Sequence, residues 1–266
     1  MPRQPPTGSS VAPLHRNRDF VLFWSSQTLS TTGTRASSIA YPLLVLAMTG
    51  SAAKAGTVGF AQTLPFLLWF LPAGAFVDRL DRKRIMIIAE LVRFGAMGSV
   101  AVALVLDGFN LTHILIVAFI EGSALVFFEV AEAAALPHIV PAEQLPTALA
   151  QNQARQQAAE LWGQPLGGFL FSIGRSVPFA FDALTYLVSF AALAVIKPAF
   201  QHRRPTASKS MMSDIGDGVT WLWNQPFLRS LTGLVAVSNF VISALVLTVI
   251  VKAQGLGASP TVVGFV

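Results

Sequence analysis

The residues that could do chemistry here are few, and most are charges set in apolar surroundings. Glu121 lies about ten residues into one apolar run and Arg155 about ten residues into the next, so at 1.5 Å per residue both approach mid-membrane depth. Ionisable groups at such depth are expensive and are normally paired or functional. Glu121 and Arg155 are therefore candidates for an ion pair, for substrate contact or for a proton relay. As partner for Arg155 the sequence favours Glu121 first and Glu129 second; Glu160 lies about 140° round the same helix and is disfavoured. Glu132 sits near a helix end, where it can snorkel to the interface. Glu90 and Arg93 are spaced i, i+3 and read as a local helix pair. Asp182 reads as a structural cap or pair near the start of its helix. Gln27, Thr31, Thr34 and Ser38, spaced i, i+4, i+7, i+11, fall within about 60° of arc, with Arg35 on the border. That stripe faces either a cavity or another helix through hydrogen bonds between small polar side chains.

These residues need long helices to place them. A membrane-crossing helix takes about 20 mostly apolar residues, and seven such runs occur, at about 20–48, 55–77, 85–106, 111–136, 145–171, 177–196 and 228–251. The runs are too long for strands and lack period-two alternation. Thr49-Gly50-Ser51, Asp107-Gly108-Phe109-Asn110 and the prolines 137, 141 and 146 supply the breaks. An eighth run opens at Thr261 and stops at Val266, so the sequence predicts an incomplete chain. The first run is too long for a signal peptide. The expected organisation is a cytoplasmic tail over 1–19, a six-helix bundle over 20–196, a connecting loop over 197–227 and the start of a second bundle over 228–266. Within the loop, 211–225 is either an amphipathic interfacial helix carrying Trp221 and Trp223 or a solvated linker.

Composition agrees with a polytopic membrane protein. Of 266 residues 53% are hydrophobic and 12% charged, with 20 Phe and no Cys, and the mean hydropathy is +0.61. A soluble domain of this size needs more polar surface. The net charge of +5 does not indicate nucleic-acid binding, because the bases sit in short loops and form no stripe that could track a phosphate backbone. They do set orientation. Arg3, Arg16 and Arg18, then Arg79, Arg82, Lys83 and Arg84, then Lys197, Arg203, Arg204, Lys209 and Arg229 all fall on one side, twelve of the 18 basic residues. By the positive-inside rule that side is the cytoplasm. No cofactor site, metal-ligand spacing, Walker loop or hydrolase motif occurs in the sequence, so an enzyme is not expected, and any transport must draw on an ion gradient or run as facilitation.

The most informative motif is Gly74-Ala-Phe-Val-Asp78-Arg79-Leu-Asp81-Arg82-Lys83-Arg84. Written G-x-x-x-D-R-x-x-R-K between the second and third helices, it resembles the signature loop of the major facilitator superfamily. Phe181-Asp182-Ala-Leu-Thr-Tyr-Leu-Val-Ser189, Leu136-Pro-His-Ile-Val-Pro141 and Asn17-Arg18-Asp19-Phe20 are similar to segments of the exporter branch that includes macrolide-efflux and enterobactin-export proteins. Two departures stand out. Many exporters carry G-P-x-x-G-G in the fifth helix, whereas Gly163-Gln164-Pro165-Leu166-Gly167-Gly168 has its proline displaced by one. Gly33 is followed by Thr34 and Arg35, where the branch often has an acid.

The resemblance implies an all-α bundle of two inverted three-helix repeats, matched by a missing C-terminal half of the same transporter. It implies a latch loop in which Asp78 contacts the second half. From the residues themselves, Gly74 permits close helix approach, Asp78 can cap a helix N-terminus or pair with a nearby Arg, and Gly163/Gly167 form a helix-packing pair. The implied activity is proton-coupled efflux of an amphipathic small molecule, drug-, macrolide- or siderophore-like, across the cell membrane. A non-transporting scaffold or receptor, an inactive half-transporter and a membrane-embedded enzyme are the other readings. The orientation is directly testable on this Cys-free background: a Cys at position 209 should be labelled by a membrane-impermeant maleimide only after the cells are opened. Labelling from outside would invert the topology.

Overall fold

The computed structural model describes residues 14–196, 200, 216, 220–221 and 223–265. Among the described residues, 3-10 turns at Leu14–Arg16 and Ala142–Gln144 accompany eight α-helices: α1 Arg18–Thr49, α2 Ala52–Arg79, α3 Arg82–Val105, α4 Leu111–Ile139, α5 Leu145–Ile173, α6 Val177–Val195, α7 Pro226–Gly255 and the short α8 Pro260–Val263. No strand occurs among the described residues. Residues 1–13 of the tail and most of the 211–225 segment lie outside the described residues, though Trp221 and Trp223 are described and exposed.

The helices run past the apolar stretches at most ends because polar residues at the borders complete them. Asn17 accepts from the Phe20 amide, Ser51 from Lys54, Asp81 from Arg84, and Asn110 from Thr112 and His113. Each side chain satisfies amides that a helix start leaves without partners. Gly50, at φ 65°, closes α1 in the left-handed conformation that favours glycine.

Five helices, α2, α3, α4, α6 and α7, are both long and apolar enough to cross a membrane. α1 and α5 are as long but less apolar, because they carry the polar stripes, and they pack on each other. The pairing is regular: α1 packs on α5 and α6, α4 packs on α2 and α3, and α3 packs on α6. Exchanging α1–α3 with α4–α6 maps this pattern onto itself, as two repeats of three helices require. α2 and α7 turn large apolar side chains outward, among them Leu67, Phe70, Leu234 and Leu245. Such a surface suits lipid and not water.

The interior has three layers. One apolar cluster gathers Tyr41, Leu44, Met97, Ile114 and Phe179. The other gathers Phe23, Val77, Met86, Phe128, Leu193 and Phe200. Edge-to-face ring contacts reinforce both, Tyr41 on Phe179 at 5.1 Å and Phe23 on Phe200 at 6.2 Å between centroids. Buried charges lie between the clusters.

Glycines mark the close crossings. A Cβ on Gly167 would collide with the Ala36 carbonyl, and one on Gly163 would reach the Thr32 carbonyl at 3.2 Å, so this pair brings α5 against α1. At Gly74 nothing lies within 4 Å of the Cβ position among the described residues. Gly167→Ala should therefore lower the thermal unfolding midpoint in detergent, with about 1–3 kcal/mol of overpacking outweighing the gain of about 1 kcal/mol that alanine gives a helix. Gly74→Ala should leave the midpoint unchanged or raise it. Equal effects would contradict the packing described.

Candidate functional site

Arg93 is the centre of the buried layer. Its side chain is 2% exposed and points between four helices. Nη2 donates to Tyr186 OH at 2.7 Å and Thr34 Oγ1 at 2.8 Å, and lies 3.2 Å from Glu121 Oε1, which Nε also meets at 3.3 Å. Nη1 lies 3.9 Å from Glu90 Oε2, and the guanidinium carbon sits 4.0 Å from the centre of the Tyr186 ring. A guanidinium offers five donors in a flat fork and tolerates an aromatic face, so it can join partners that no single-point cation could.

The carboxylates around it are held by hydroxyls. Asp182 Oδ2 accepts from Ser37 at 2.5 Å and Tyr186 at 3.1 Å. Glu90 Oε1 accepts from Ser189 at 2.6 Å and Ser30 at 3.3 Å, and Gln27 donates to Ser189 at 2.8 Å. Helical spacing places these groups on facing stripes: Gln27, Ser30, Thr34 and Ser37 on α1, Asp182, Tyr186 and Ser189 on α6, Glu90 and Arg93 on α3, Glu121 on α4. Gly33 makes the close contact possible, since a Cβ there would lie 2.7 Å from Asp182 Oδ1. The column thus holds one guanidinium and three carboxylates.

The sequence-derived stripe on α1 is therefore rotated by about 50° from the buried one. Gln27 and Thr34 belong to both. Thr31 instead accepts from Arg155 at 3.2 Å, and the Ser38 hydroxyl donates to its own helix at Arg35. Hydrogen bonds between helices, one of the two alternatives, account for Gln27, Thr31 and Thr34.

Arg155 does not pair with Glu121. Its Nη2 meets Glu132 at 2.6 Å, and Asn152 donates to the same carboxylate at 3.4 Å. α4 has 29 residues, roughly 43 Å of helix, so a residue ten from its outer end and a residue ten from the inner end of α5 differ in depth by about 13 Å. Glu132, seven residues from the inner end, matches Arg155 far better than Glu121 does. Glu121 is taken by Arg93, so the Glu90–Arg93 pair is one edge of a larger network and not a purely local contact.

A further set of groups remains uncovered. Arg35 on α1 and Glu160 on α5 pair at 3.5 Å with side chains 39% and 45% exposed, and Glu129 on α4 is exposed as well. On α5, Gln153, Gln157, Glu160 and Gln164 repeat the i, i+4, i+7, i+11 spacing of the α1 stripe within about 60° of arc. The glutamines were not singled out from sequence, although that spacing was available to find them. Gln157, Glu160, Gln164 and Pro165 border an open cleft of about 460 Å³.

The signature loop divides its residues. Asp78 is exposed and lies 3.8 Å from Arg82. Asp81, not Asp78, caps the next helix, through the Arg84 amide. Arg82 is buried and donates to the Ala134 carbonyl at 2.7 Å and the Phe200 carbonyl at 3.4 Å. Lys83 donates to the carbonyls of Ile196 and Ala194.

The signature loop, the paired three-helix repeats and the lipid-facing surface point one way. A model of the transmembrane secretion effector family, of major-facilitator type, matches residues 8–266. The chain belongs to this family. Among family relatives, it is 28% identical over 202 residues to the multidrug efflux pump Tap of Mycolicibacterium fortuitum, covering 73% of this chain and 49% of the relative. It is 26% identical over 207 residues to the macrolide efflux protein A of Streptococcus pyogenes, covering 76% and 51%. The chain spans about half the length of the curated relatives it matches. As a family member it is a multi-pass membrane protein. No group of side chains among the described residues could hold a metal ion.

The Arg155 pairing can be measured. Arg155→Ala should destabilise the bundle more than Arg155→Ala with Glu132→Ala, because the single change leaves an orphan buried carboxylate. A coupling of about 0.5–3 kcal/mol is expected in a thermal-unfolding double-mutant cycle, and none in the cycle of Arg155 with Glu121. The reverse pattern would restore the sequence-derived pairing.

Proposed function

We propose that the chain is half of a secondary transporter that exports amphipathic small molecules across the cell membrane, driven by inward proton movement. It would act as a transporter and not as an enzyme, with a cytoplasmic N-terminus. The observation that carries this is the uncovered polar face. A lipid-facing helix surface is apolar, yet α5 leaves Gln153, Gln157 and Glu160 exposed and Gln164 half-exposed beside Arg35 of α1. Polar groups inside a membrane need water, ligand or protein against them. A second bundle of similar size facing this one would enclose the stripe as a cavity near the midplane, where such transporters bind their cargo.

The chemistry of that face suits amphipathic cargo. Amide groups offer both donors and acceptors without fixed charge, and Arg35 with Glu160 supplies one cation and one anion for a polar head. Thr31 and Ser38 border the same side of α1. The names of the relatives, multidrug and macrolide efflux, support cargo of this class. For the signature loop we infer a latch at the cytoplasmic rim, where Asp78 and Arg79 lie exposed. Three carboxylates around one guanidinium supply the proton-binding capacity that coupling requires.

In cells stripped of their own efflux pumps, the complete transporter should lower the steady-state accumulation of a lipophilic dye such as ethidium severalfold, and a protonophore should restore it. Equal accumulation with and without the protein would refute the reading. Dye export that ignores the protonophore would remove the proton coupling alone.

A further inference from the structure

We propose that Glu90 is the carrier of the coupling proton and that Arg93 is its positioning residue, so that the proton site lies behind α1, apart from the uncovered substrate face. This rests on the proton-driven export reading and names the residue that performs it.

Geometry distinguishes Glu90 from the other carboxylates of the column. Asp182 Oδ2 has two hydroxyl donors, and Glu121 Oε1 receives Arg93 through two nitrogens. Glu90 is fully buried, and both its hydroxyl donors go to Oε1. Its Oε2 is buried and receives no hydrogen bond, and Arg93 Nη1 stands off at 3.9 Å. A fully buried carboxylate oxygen without a donor is costly. Two events relieve that cost: a proton bonds to Oε2, or the guanidinium closes the gap. The two exclude each other, because a neutral carboxyl no longer attracts Arg93. The groups facing Glu90 are Arg93 on its own helix, Glu132 on α4 and the Ser189 hydroxyl on α6, with Glu121, Tyr186 and Asp182 gathered round Arg93 beyond. From α1 comes the Ser30 hydroxyl, with the Tyr41 phenol further out.

Loading forms one O–H bond, at Glu90 Oε2, with a proton drawn from water on the outer side. Release breaks that bond and returns the proton to water on the inner side, and no other bond changes. With Glu90 loaded, Arg93 stays on Glu121, Thr34 and Tyr186. With Glu90 emptied, Arg93 moves toward it and loosens its hold on Thr34. Thr34 lies on α1, whose opposite edge carries Thr31 and Arg35. The same helix therefore reads the proton on one side and the substrate on the other, and coupling needs no carboxylate shared between them.

The test uses the complete transporter in proteoliposomes and compares wild type, Glu90→Gln, Glu90→Asp and Glu160→Gln. Two rates are measured with ethidium: accumulation driven by a pH gradient, and exchange at equal pH on both sides. In Glu90→Gln the gradient-driven accumulation should be lost relative to exchange, and Glu90→Asp should recover it. Glu160→Gln should raise the KM for exchange and keep the wild-type ratio of the two rates. Gradient-driven accumulation by Glu90→Gln at the wild-type ratio would overturn the proposal. So would loss of both rates in Glu90→Gln and Glu90→Asp together with a lowered unfolding midpoint, since that is the mark of a structural role. If the wild type itself gathers no ethidium under the gradient, the export reading fails before any variant is compared.

Discussion

A guanidinium enclosed at membrane depth is the constraint around which this bundle is built. Arg93 cannot shed its charge, and an unpaired arginine at the centre of a bilayer costs at least roughly 2.5–3.5 kcal/mol. Its partners come from three other helices: Glu121 from α4, Tyr186 from α6 and Thr34 from α1. None of these contacts exists within one helix, so the charge is tolerated only when all four helices are in register. A one-turn slip of α6 would move Tyr186 by about 5.4 Å and strand both Arg93 and Asp182. Apolar packing drives the helices together without fixing their register this tightly, because Leu and Val ridges admit several. The polar layer supplies that selection, and the apolar clusters on either side of it keep out water that would weaken it.

The same requirement explains why α1 and α5 are the least apolar of the long helices. α1 serves two sides. Its buried stripe answers the column, and its other edge meets α5 through Thr31–Arg155 and Arg35–Glu160. α5 serves its own glycine seam with α1 on one side and the open glutamine stripe on the other. Stripes of polar residues that answer protein neighbours or stand uncovered leave less of either helix to apolar residues. By contrast α2 and α7, with broad exposed apolar surfaces, read as nearly continuous apolar runs.

Much of this was legible in the sequence. The seven long helices, their boundaries within a few residues, the turn residues between them and the signature loop follow from local chemistry, which the chain carries in order. Glu121 and Arg155 stood out because charge in an apolar run is conspicuous. Their partners were not legible, because pairing across helices depends on absolute depth and on which helices touch. Counting ten residues from opposite ends of long helices equated two depths that differ by about 13 Å. Consecutive α4 and α5 share few contacts, while α3, α4 and α6 converge on Arg93. The i, i+3 spacing of Glu90 and Arg93 offered a sufficient local explanation, and it concealed the centre of the network. The glutamines of α5 were readable by the spacing already noticed on α1, but uncharged amides draw less attention than charges.

The signature loop shows how one string of bases can answer two demands at once. Retention of Lys and Arg on the cytoplasmic side sets topology, and any arrangement of those charges would satisfy it. The structure uses them far more specifically. Arg82 and Lys83 open α3, yet their donors go to carbonyls at the ends of α4 and α6, where a helix presents partial negative charge and acceptors without partners. Three helix ends are thereby tied by two side chains, and Asp81 completes the start of α3 in the same turn. What remains of the motif is Asp78 and Arg79, one turn earlier and exposed. The division follows helical geometry: Arg82 is buried against neighbouring helix ends, and Asp78, one turn earlier, is exposed beside it at 3.8 Å. The motif is thus two devices in one segment, a clamp on the helix ends at one face of this bundle and a charged, exposed surface beside it.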